Sequence, residues 1–302
     1  MDLKSKIILI YGPTASGKSK FAIKLAKKIS GQIINADSMQ VYKDLKVLTA
    51  RPFGKDYQNI KHHLYGFQSA KKNFSTGDWL KLAKEKILQC RKVNKTPILV
   101  GGTGLYFKSL TEGLVNIPKI PINFRNKVRS LHKRIGQKKF FLKLTEIDPL
   151  IKDRINSLDV QRSLRAYEIK SFTKKSMISW FKNTKSDYSH NDFFKICIDF
   201  PRKDLIERIN KRSENMIKLG AILEVKKFIK LRVPKNKSLS KAIGISEIKQ
   251  YLQKKIQTDQ LIEKISIKTR QYAKRQSTWA RGHMKDWNKV NPAGLEKLLK
   301  KI

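Results

Sequence analysis

Residues 7–29 read IILIYGPTASGKSKFAIKLAKKI, and this stretch decides the fold. Ile7 to Tyr11 is a short, β-rich apolar run of the kind that forms a buried parallel strand. The next eight residues, Gly12, Pro13, Thr14, Ala15, Ser16, Gly17, Lys18 and Ser19, match G-x-x-x-x-G-K-[ST], the phosphate-loop signature. From Ser19 to Ile29 the spacing predicts a helix with Phe21, Ala22, Leu25, Ala26 and Ile29 on one face, and Gly31 suits its stop. The glycines let the backbone curl so that its N–H groups face an anion, and the helix N-terminus adds positive potential. Lys18 supplies a mobile charge, and the Ser19 hydroxyl can ligate Mg²⁺. A chance match in a glycine-containing turn is the plainer alternative. Strand, loop and helix in register argue against it, but they leave open what the phosphate belongs to.

Outward from this unit, Gln32 to Ala36 reads as a second strand ending at Asp37, Gly77 to Val93 as an amphipathic helix, and Pro97 to Val100 as a third strand. Gly-Gly-Thr-Gly and a helix from about Leu105 follow, then a later strand, Phe194 to Phe200, and a long helix from Arg202. The alternation predicts an α/β fold: a P-loop parallel sheet flanked by helices. Between Pro118 and Asn191 the chain is basic and helical, opening on IPKIPIN and closing on KNTKSDYSHND. It reads as a helical insertion domain, 118–191, set into a core formed by 1–117 and 192–302 with a helical C-terminal region.

The chain has 302 residues and a formal net charge of +43, with 40% apolar residues. Such an excess points to a polyanionic partner. Its Lys, Ile and Asn richness accounts for a large share of the charge as compositional drift, but Arg also clusters late in the chain. Cys90 and Cys197 stand far apart without metal-ligand spacing, as in a reduced cytosolic protein. No apolar run is long enough to span a bilayer, and the start, MDLKSKIILIYG, is not a signal peptide. The expectation is a cytoplasmic protein with no membrane partner. The pair His62-His63 lacks a complete ligand set.

In a parallel sheet, ligands gather beyond the carboxyl ends of the strands. Strand two delivers Asp37 there, a general base or Mg²⁺ ligand; its plainer role, shared with Ser38, is helix capping. Strand three delivers Thr103, which hydrogen-bonds at a reacting centre or simply turns the chain. The Asp-Glu strand end of motor-type NTPases is missing, since LVGG stands in its place. On a helix over 160–169, Gln161, Arg162 and Arg165 form one cationic patch, for phosphates or for solvent. Arg125 has the same two readings. In TRQYAKRQSTWARGHMKDW (269–287), Arg270, Lys274, Arg275 and Arg281 alternate with Tyr272, Trp279 and Trp287. Aromatics of this kind pack in cores more often than they stack on bases.

In this order, GPTASGKS, INADSMQVYKDLKVLTARP, HHLYGF, ILVGGTGLYFKSLTEGL, VQRSLRAYEI, INKRSENMIKLGAILEV, AIGISEI and TRQYAKRQSTWAR resemble the tRNA dimethylallyltransferases, also called tRNA isopentenyltransferases, over most of the chain. The resemblance implies a prenyltransferase of tRNA modification. Its loop looks like that of nucleotide-binding, ATP-binding kinases but grips the diphosphate of dimethylallyl diphosphate. The dimethylallyl group goes to N6 of the adenosine 3′-adjacent to the anticodon, with diphosphate leaving. By position, Asp37 is then the catalytic base and Thr103 lies beside it; residues 12–19 hold the diphosphate, with Mg²⁺ on Ser19. Asp37, Ser38, Met39, Gln40, Thr103, Arg125, Gln161, Arg162, Ser163, Leu164 and Arg165 contact the tRNA, and Arg165 also reaches the diphosphate. The insertion clasps the anticodon stem-loop, and the target base leaves its stack to enter the site. The missing Cys/His zinc-finger tail implies the bacterial type, and a monomer is expected. Tyr167 stands where the family often has Leu. The residues alone keep a second reading open, a P-loop small-molecule or nucleoside kinase, which explains the loop and Asp37 but not the basic insertion and tail. A third, a nucleic-acid binder with a decayed loop, conflicts with the intact Gly12, Gly17, Lys18 and Ser19.

Overall fold

A computed structural model describes residues 3–182 and 184–301; the first two residues of MDLKSKIILIYG, Asn183 of the polar KNTKSDYSHND segment and the last residue, Ile302, lie outside them. In chain order the elements are β1 (Ile7–Tyr11), α1 (Lys18–Lys28), β2 (Gly31–Asn35), β3 (His62–His63), α2 (Thr76–Lys92), β4 (Thr96–Gly101) and α3 (Gly104–Thr111). There follow α4 (Ile122–Ile147), α5 (Val160–Thr173), α6 (Met177–Lys182), β5 (Phe193–Ile198), α7 (Arg202–Lys218), α8 (Ala221–Lys230), α9 (Ile245–Leu252), α10 (Thr258–His283), β6 (Asn288–Val290) and α11 (Pro292–Lys301). The chain divides into two compact units, Met1–Thr111 with Tyr188–Ile302, and Glu112–Asp187.

The first unit is built on a six-stranded sheet in the order β3-β2-β4-β1-β5-β6, every neighbouring pair parallel. Its strands read as continuous apolar runs because both faces are covered. The period of two splits β1 cleanly. Ile7, Leu9 and Tyr11 face Trp79, Ala83 and Ile87 of α2 and Phe107 of α3, while Ile8 and Ile10 face Phe21 and Leu25 of α1. A third cluster joins Val41, Tyr42 and Leu45 to α8, α9 and α10 through Val225, Ile248 and Ile265. The α2 start shows why the chain turns helical there: Ser75 accepts from the Asp78 N–H while the Asp78 carboxylate accepts from the Ser75 N–H, a capping box.

One glycine sets the sheet's spacing at its active end. A Cβ on Gly101 would lie 2.0 Å from the Ala36 carbonyl oxygen and 2.1 Å from its carbon, with only backbone to yield. Gly101→Ala is therefore expected to destabilise the fold by about 4 kcal/mol or more, read as a collapse of the thermal midpoint or loss of soluble protein.

The structure corrects several local expectations. Gly31 does not stop α1: it is the first residue of β2, and the left-handed residue after the helix is Ser30 (φ 53°). His62 and His63, to which the sequence assigns no element, form edge strand β3, registered on Ile33 and Ile34. His63 Nε2 meets Gln32 Oε1 at 2.7 Å, and burial pushes its imidazole down to about 4. The C-terminal region holds strand β6 among its helices. Among the described residues no helix is long and apolar enough to cross a membrane.

The second unit is helical throughout its named elements. Ile120, Leu144, Ile151, Ile155, Ala166, Ile169 and Met177 form its core. Gly136 (φ 75°, ψ 167°) breaks α4 into two helices at a kink. Gln137 follows the kink and closes it onto α5, with its Nε2 donating to Ser163 Oγ and its Oε1 meeting His132 Nε2.

Candidate active site

Three adjacent strands, β2, β4 and β1, end at one edge of the sheet, so the segments after them are neighbours. The Gly12 N–H donates to the Gly101 carbonyl at 3.4 Å, and the Thr103 N–H to the Ala36 carbonyl at 3.2 Å. The structure thus brings together residues 12–19, Asp37 with Ser38, and Thr103.

In the phosphate loop, Ala15 (φ 65°) and Gly17 (φ 85°) adopt left-handed backbone, the alternation that folds successive N–H groups into an anion-binding nest. Ser16 is buried, and its Oγ bonds to no group among the described residues. A buried hydroxyl without a partner is costly unless a ligand completes it. Lys18 Nζ folds back on the Pro13 carbonyl at 3.2 Å. Burial pushes its ammonium down to about 8, against the pull of the Asp37 carboxylate and with a further push from the Arg212 guanidinium. Ser19 is exposed on the first turn of α1.

Asp37 caps no helix. Its Oδ1 accepts from the Met39 N–H at 2.9 Å within a turn, and buried Asn35 holds its backbone at both ends, accepting the Asp37 N–H and donating to the Asp37 carbonyl. Trp79 Nε1 in turn donates to the Asn35 carbonyl. Burial pushes the phenols of Tyr65, Tyr106 and Tyr272 up, and the Asp37 carboxylate adds to each. Thr103 Oγ1 accepts from the Ser38 N–H at 2.9 Å and donates to Ser38 Oγ at 3.2 Å, which joins the two strand ends. Gln40 Nε2 donates to the Thr49 and Ala50 carbonyls, and Met39 packs half-buried against the third cluster.

Two helices missed as site elements complete the edge. From α7, Arg212 donates to Thr14 Oγ1 at 2.9 Å, and Arg208 lies beside Gly17, where an added Cβ would come within 3.5 Å of its Nη2. Arg208 is held over the Phe200 ring at 4.8 Å. A cavity of about 430 Å³ opens here, lined by Arg51, Arg208, Lys211 and Arg212, one carboxylate, Asp56, and the apolar Val47, Phe53 and Met216. Its four cations outnumber the single carboxylate, and with the apolar side chains they suit a ligand with an apolar group beside an anion. From α10, Gln276 reaches Thr14 and Gly102. The sequence signal for Gln276 was available: it is a polar residue on the apolar stripe of Ala273 and Ala280. Of the late aromatics, Trp287 is core, while Trp279 packs half-buried on Tyr11 and stacks on His283 at 4.5 Å.

In the second unit, Arg125 and Arg165 converge on one buried carboxylate: Glu168 Oε2 accepts from Arg125 Nε at 3.1 Å and pairs with Arg165 Nη1 at 3.4 Å. Gln161 and Arg162 are exposed on the same helix, Arg162 pairing with Asp159. Leu164 is half-buried. Ser163, which the resemblance places among the tRNA contacts, lies on the other side of the helix. It is fully buried, its Oγ donating to the Asp159 carbonyl at 2.7 Å, because it sits on the core side of α5 with Ala166 and Ile169.

Comparison with known proteins gives a consistent result. The family model described as IPP transferase matches residues 40–283. The chain is 59% identical over 302 residues to the tRNA dimethylallyltransferase of Pelagibacter ubique (strain HTCC1062), covering all of this chain and 96% of that one. It is 43% identical over 284 residues to that of Rickettsia massiliae (strain Mtu5), covering 94% and 78%. Among solved structures, the tRNA delta(2)-isopentenylpyrophosphate transferase of Staphylococcus epidermidis superposes with a TM-score of 0.68 at 31% identity, covering 98% and 96% of the two chains. A eukaryotic dimethylallyltransferase acting on tRNA superposes with 0.82 at 26% identity, covering 95% and 73%.

Proposed function

The chain belongs to the IPP transferase family, the tRNA dimethylallyltransferases, and from that premise we propose how its residues carry out the transfer. The activity is tRNA prenylation, a transferase reaction, and the kinase reading is not favoured. The donor is dimethylallyl diphosphate and the acceptor is N6 of the adenosine 3′-adjacent to the anticodon. The observation that carries this assignment is the gathering of a phosphate loop, Asp37 and Thr103 on three neighbouring strand ends.

Residues 12–19 hold the donor's diphosphate, with the nest and the Ser16 hydroxyl donating to its oxygens and Lys18 and Arg212 countering its charge. As the N6 nitrogen attacks the donor's C1, the C1–O bond breaks and diphosphate departs. Asp37 accepts the N6 proton, and Thr103, already bonded to Ser38, keeps the two loops at a fixed separation. Interactions that strengthen as charge builds on the leaving oxygens lower the barrier. Among the described residues no cluster of three or more His, Cys, Asp or Glu gathers at metal-holding range. Ser19, on the first turn of α1 after the phosphate loop, would hold Mg²⁺ together with the donor's diphosphate, since this hard cation takes oxygen ligands and needs few from the protein. The chemistry it would supply is positive charge beside the departing diphosphate.

The helical unit, Glu112–Asp187, binds the anticodon stem-loop through Arg125, Gln161, Arg162 and Arg165. Ser38, Met39 and Gln40 meet the RNA beside Asp37. The protein acts in the cytoplasm as a monomer. Glu168 holds both arginines in place, so Glu168→Gln is expected to raise KM for tRNA about tenfold, the equivalent of one charge-assisted hydrogen bond. KM for the donor should stay unchanged in the same steady-state assay. For the function itself, the protein is incubated with tRNA, Mg²⁺ and dimethylallyl diphosphate, and the digested nucleosides are weighed. One adenosine gaining a single dimethylallyl group is the expected outcome. Unchanged tRNA, with ATP consumed on a small molecule, would contradict it.

A further inference from the structure

Gln276 is 4% exposed and lies on α10, far in sequence from the loops it touches. Its Oε1 accepts from the Thr14 N–H at 2.8 Å, inside the phosphate loop. Its Nε2 donates to the Gly102 carbonyl at 2.8 Å, one residue before Thr103. Its own backbone carbonyl accepts from Tyr11 Oη at 2.9 Å, at the end of β1. The partners fix the amide's orientation: an N–H on one side and a carbonyl on the other admit it only one way round. A side chain with an acceptor and a donor at its tip, at this reach, is glutamine; asparagine is one methylene shorter and glutamate lacks the donor. Gly102 has made room for it, since a Cβ there would lie 2.1 Å from Nε2.

The consequence is geometric. Thr14 is gripped twice, its N–H by Gln276 and its Oγ1 by Arg212, so the loop's first turn is anchored from outside. Its N–H is committed to Gln276 rather than to an anion, and the nest is left to the residues beyond it. We propose that Gln276 is a positioning residue that sets the distance between the diphosphate loop and the Thr103 loop, and so between leaving group and acceptor. The proposal rests on the reading of residues 12–19 as the donor site. Burial at both contacts makes the bridge stiff, because a buried N–H or carbonyl without its partner has no water to replace it.

The test uses the full chain with inorganic diphosphate as probe, together with transfer kinetics on tRNA. Gln276→Met keeps the length and removes both bonds. Gly102→Ala breaks the bridge from its other end. Gln276→Glu keeps only the acceptor. Gln276→Met and Gly102→Ala are each expected to weaken diphosphate binding about tenfold and to lower kcat at saturating substrates by about a further tenfold, each the equivalent of one lost buried hydrogen bond. Gln276→Glu should bind diphosphate more weakly still, since its charge adds to the lost donor. A role in stability alone would lower the thermal midpoint and leave both numbers unchanged well below it. Diphosphate affinity and kcat within a factor of two of wild type overturn the bridge. If Gln276→Met does not fold, the other two variants decide on the same numbers. Wild-type protein that takes up no diphosphate sinks the donor-site reading and the bridge with it. Wild type that binds alongside a variant that binds as well sinks the bridge alone.

Discussion

Replacing Asp37 by Asn lowers the turnover number about 10³-fold, within the 10²–10⁴ range for losing a positioned general base, while the affinity for tRNA stays within about threefold. The asparagine keeps the oxygen that accepts from the Met39 N–H, and Asn35 still holds the backbone from both sides, so the turn survives. What disappears is the ability to take the N6 proton. The effect therefore belongs in kcat, read in a steady-state assay with labelled donor, and not in KM. Asp37→Ala removes the turn's hydrogen bond as well and should add a loss of stability to the same loss of turnover. An Asn variant with wild-type turnover would remove Asp37 from the chemistry.

Lys18→Met should weaken donor binding by about 10- to 100-fold, the loss of a hydrogen bond to a charged group, and lower kcat as well because the leaving group carries more charge at the transition state than before it. The pH dependence has a definite sign. Burial holds the Lys18 ammonium at about 8, below its ordinary value, so the free enzyme carries the charge below that pH and loses it above. Diphosphate affinity in the wild type should therefore fall as pH rises from 7 through 9, approaching one proton taken up per diphosphate bound. The linked effect on stability runs the other way. Unfolding returns the amine to its ordinary value, so between about 8 and that value the unfolded chain binds the extra proton and the fold gains stability as pH rises. Titrating inorganic diphosphate by calorimetry across this range measures the first, and thermal unfolding across the same range measures the second, each with Lys18→Met as the reference lacking the step.

The strand, loop and helix over residues 7–29 are legible in sequence because each follows from a local rule: an apolar run, a glycine-lysine signature and a helical period. Asp37 and Thr103 are legible for a topological reason, since a parallel sheet puts its ligands beyond its strand ends. What the sequence does not show is set by length or by distance along the chain. Strands β3 and β6, at His62–His63 and Asn288–Val290, are too short for any periodicity to register. Arg212 and Gln276 reach Thr14 across 198 and 262 residues, and no local pattern encodes such a contact. Ser163 carries the other limit. A motif names a stretch but not a face, and α5 turns Ser163 inward while presenting Gln161 and Arg162 to solvent. Glu168 lies between these cases: its spacing of three from Arg165 hints at the pair, but the second arginine, Arg125, comes from a different helix.

The most direct measurement is a crystal structure of the protein with an anticodon stem-loop and a donor analogue whose bridging oxygen is replaced by sulfur, so that the diphosphate cannot leave. The account predicts the diphosphate within hydrogen-bond reach of Ser16 to Ser19 and the extruded adenosine's N6 at about 3 Å from the Asp37 carboxylate. A diphosphate bound away from the loop, or an N6 facing a different side chain, would contradict it.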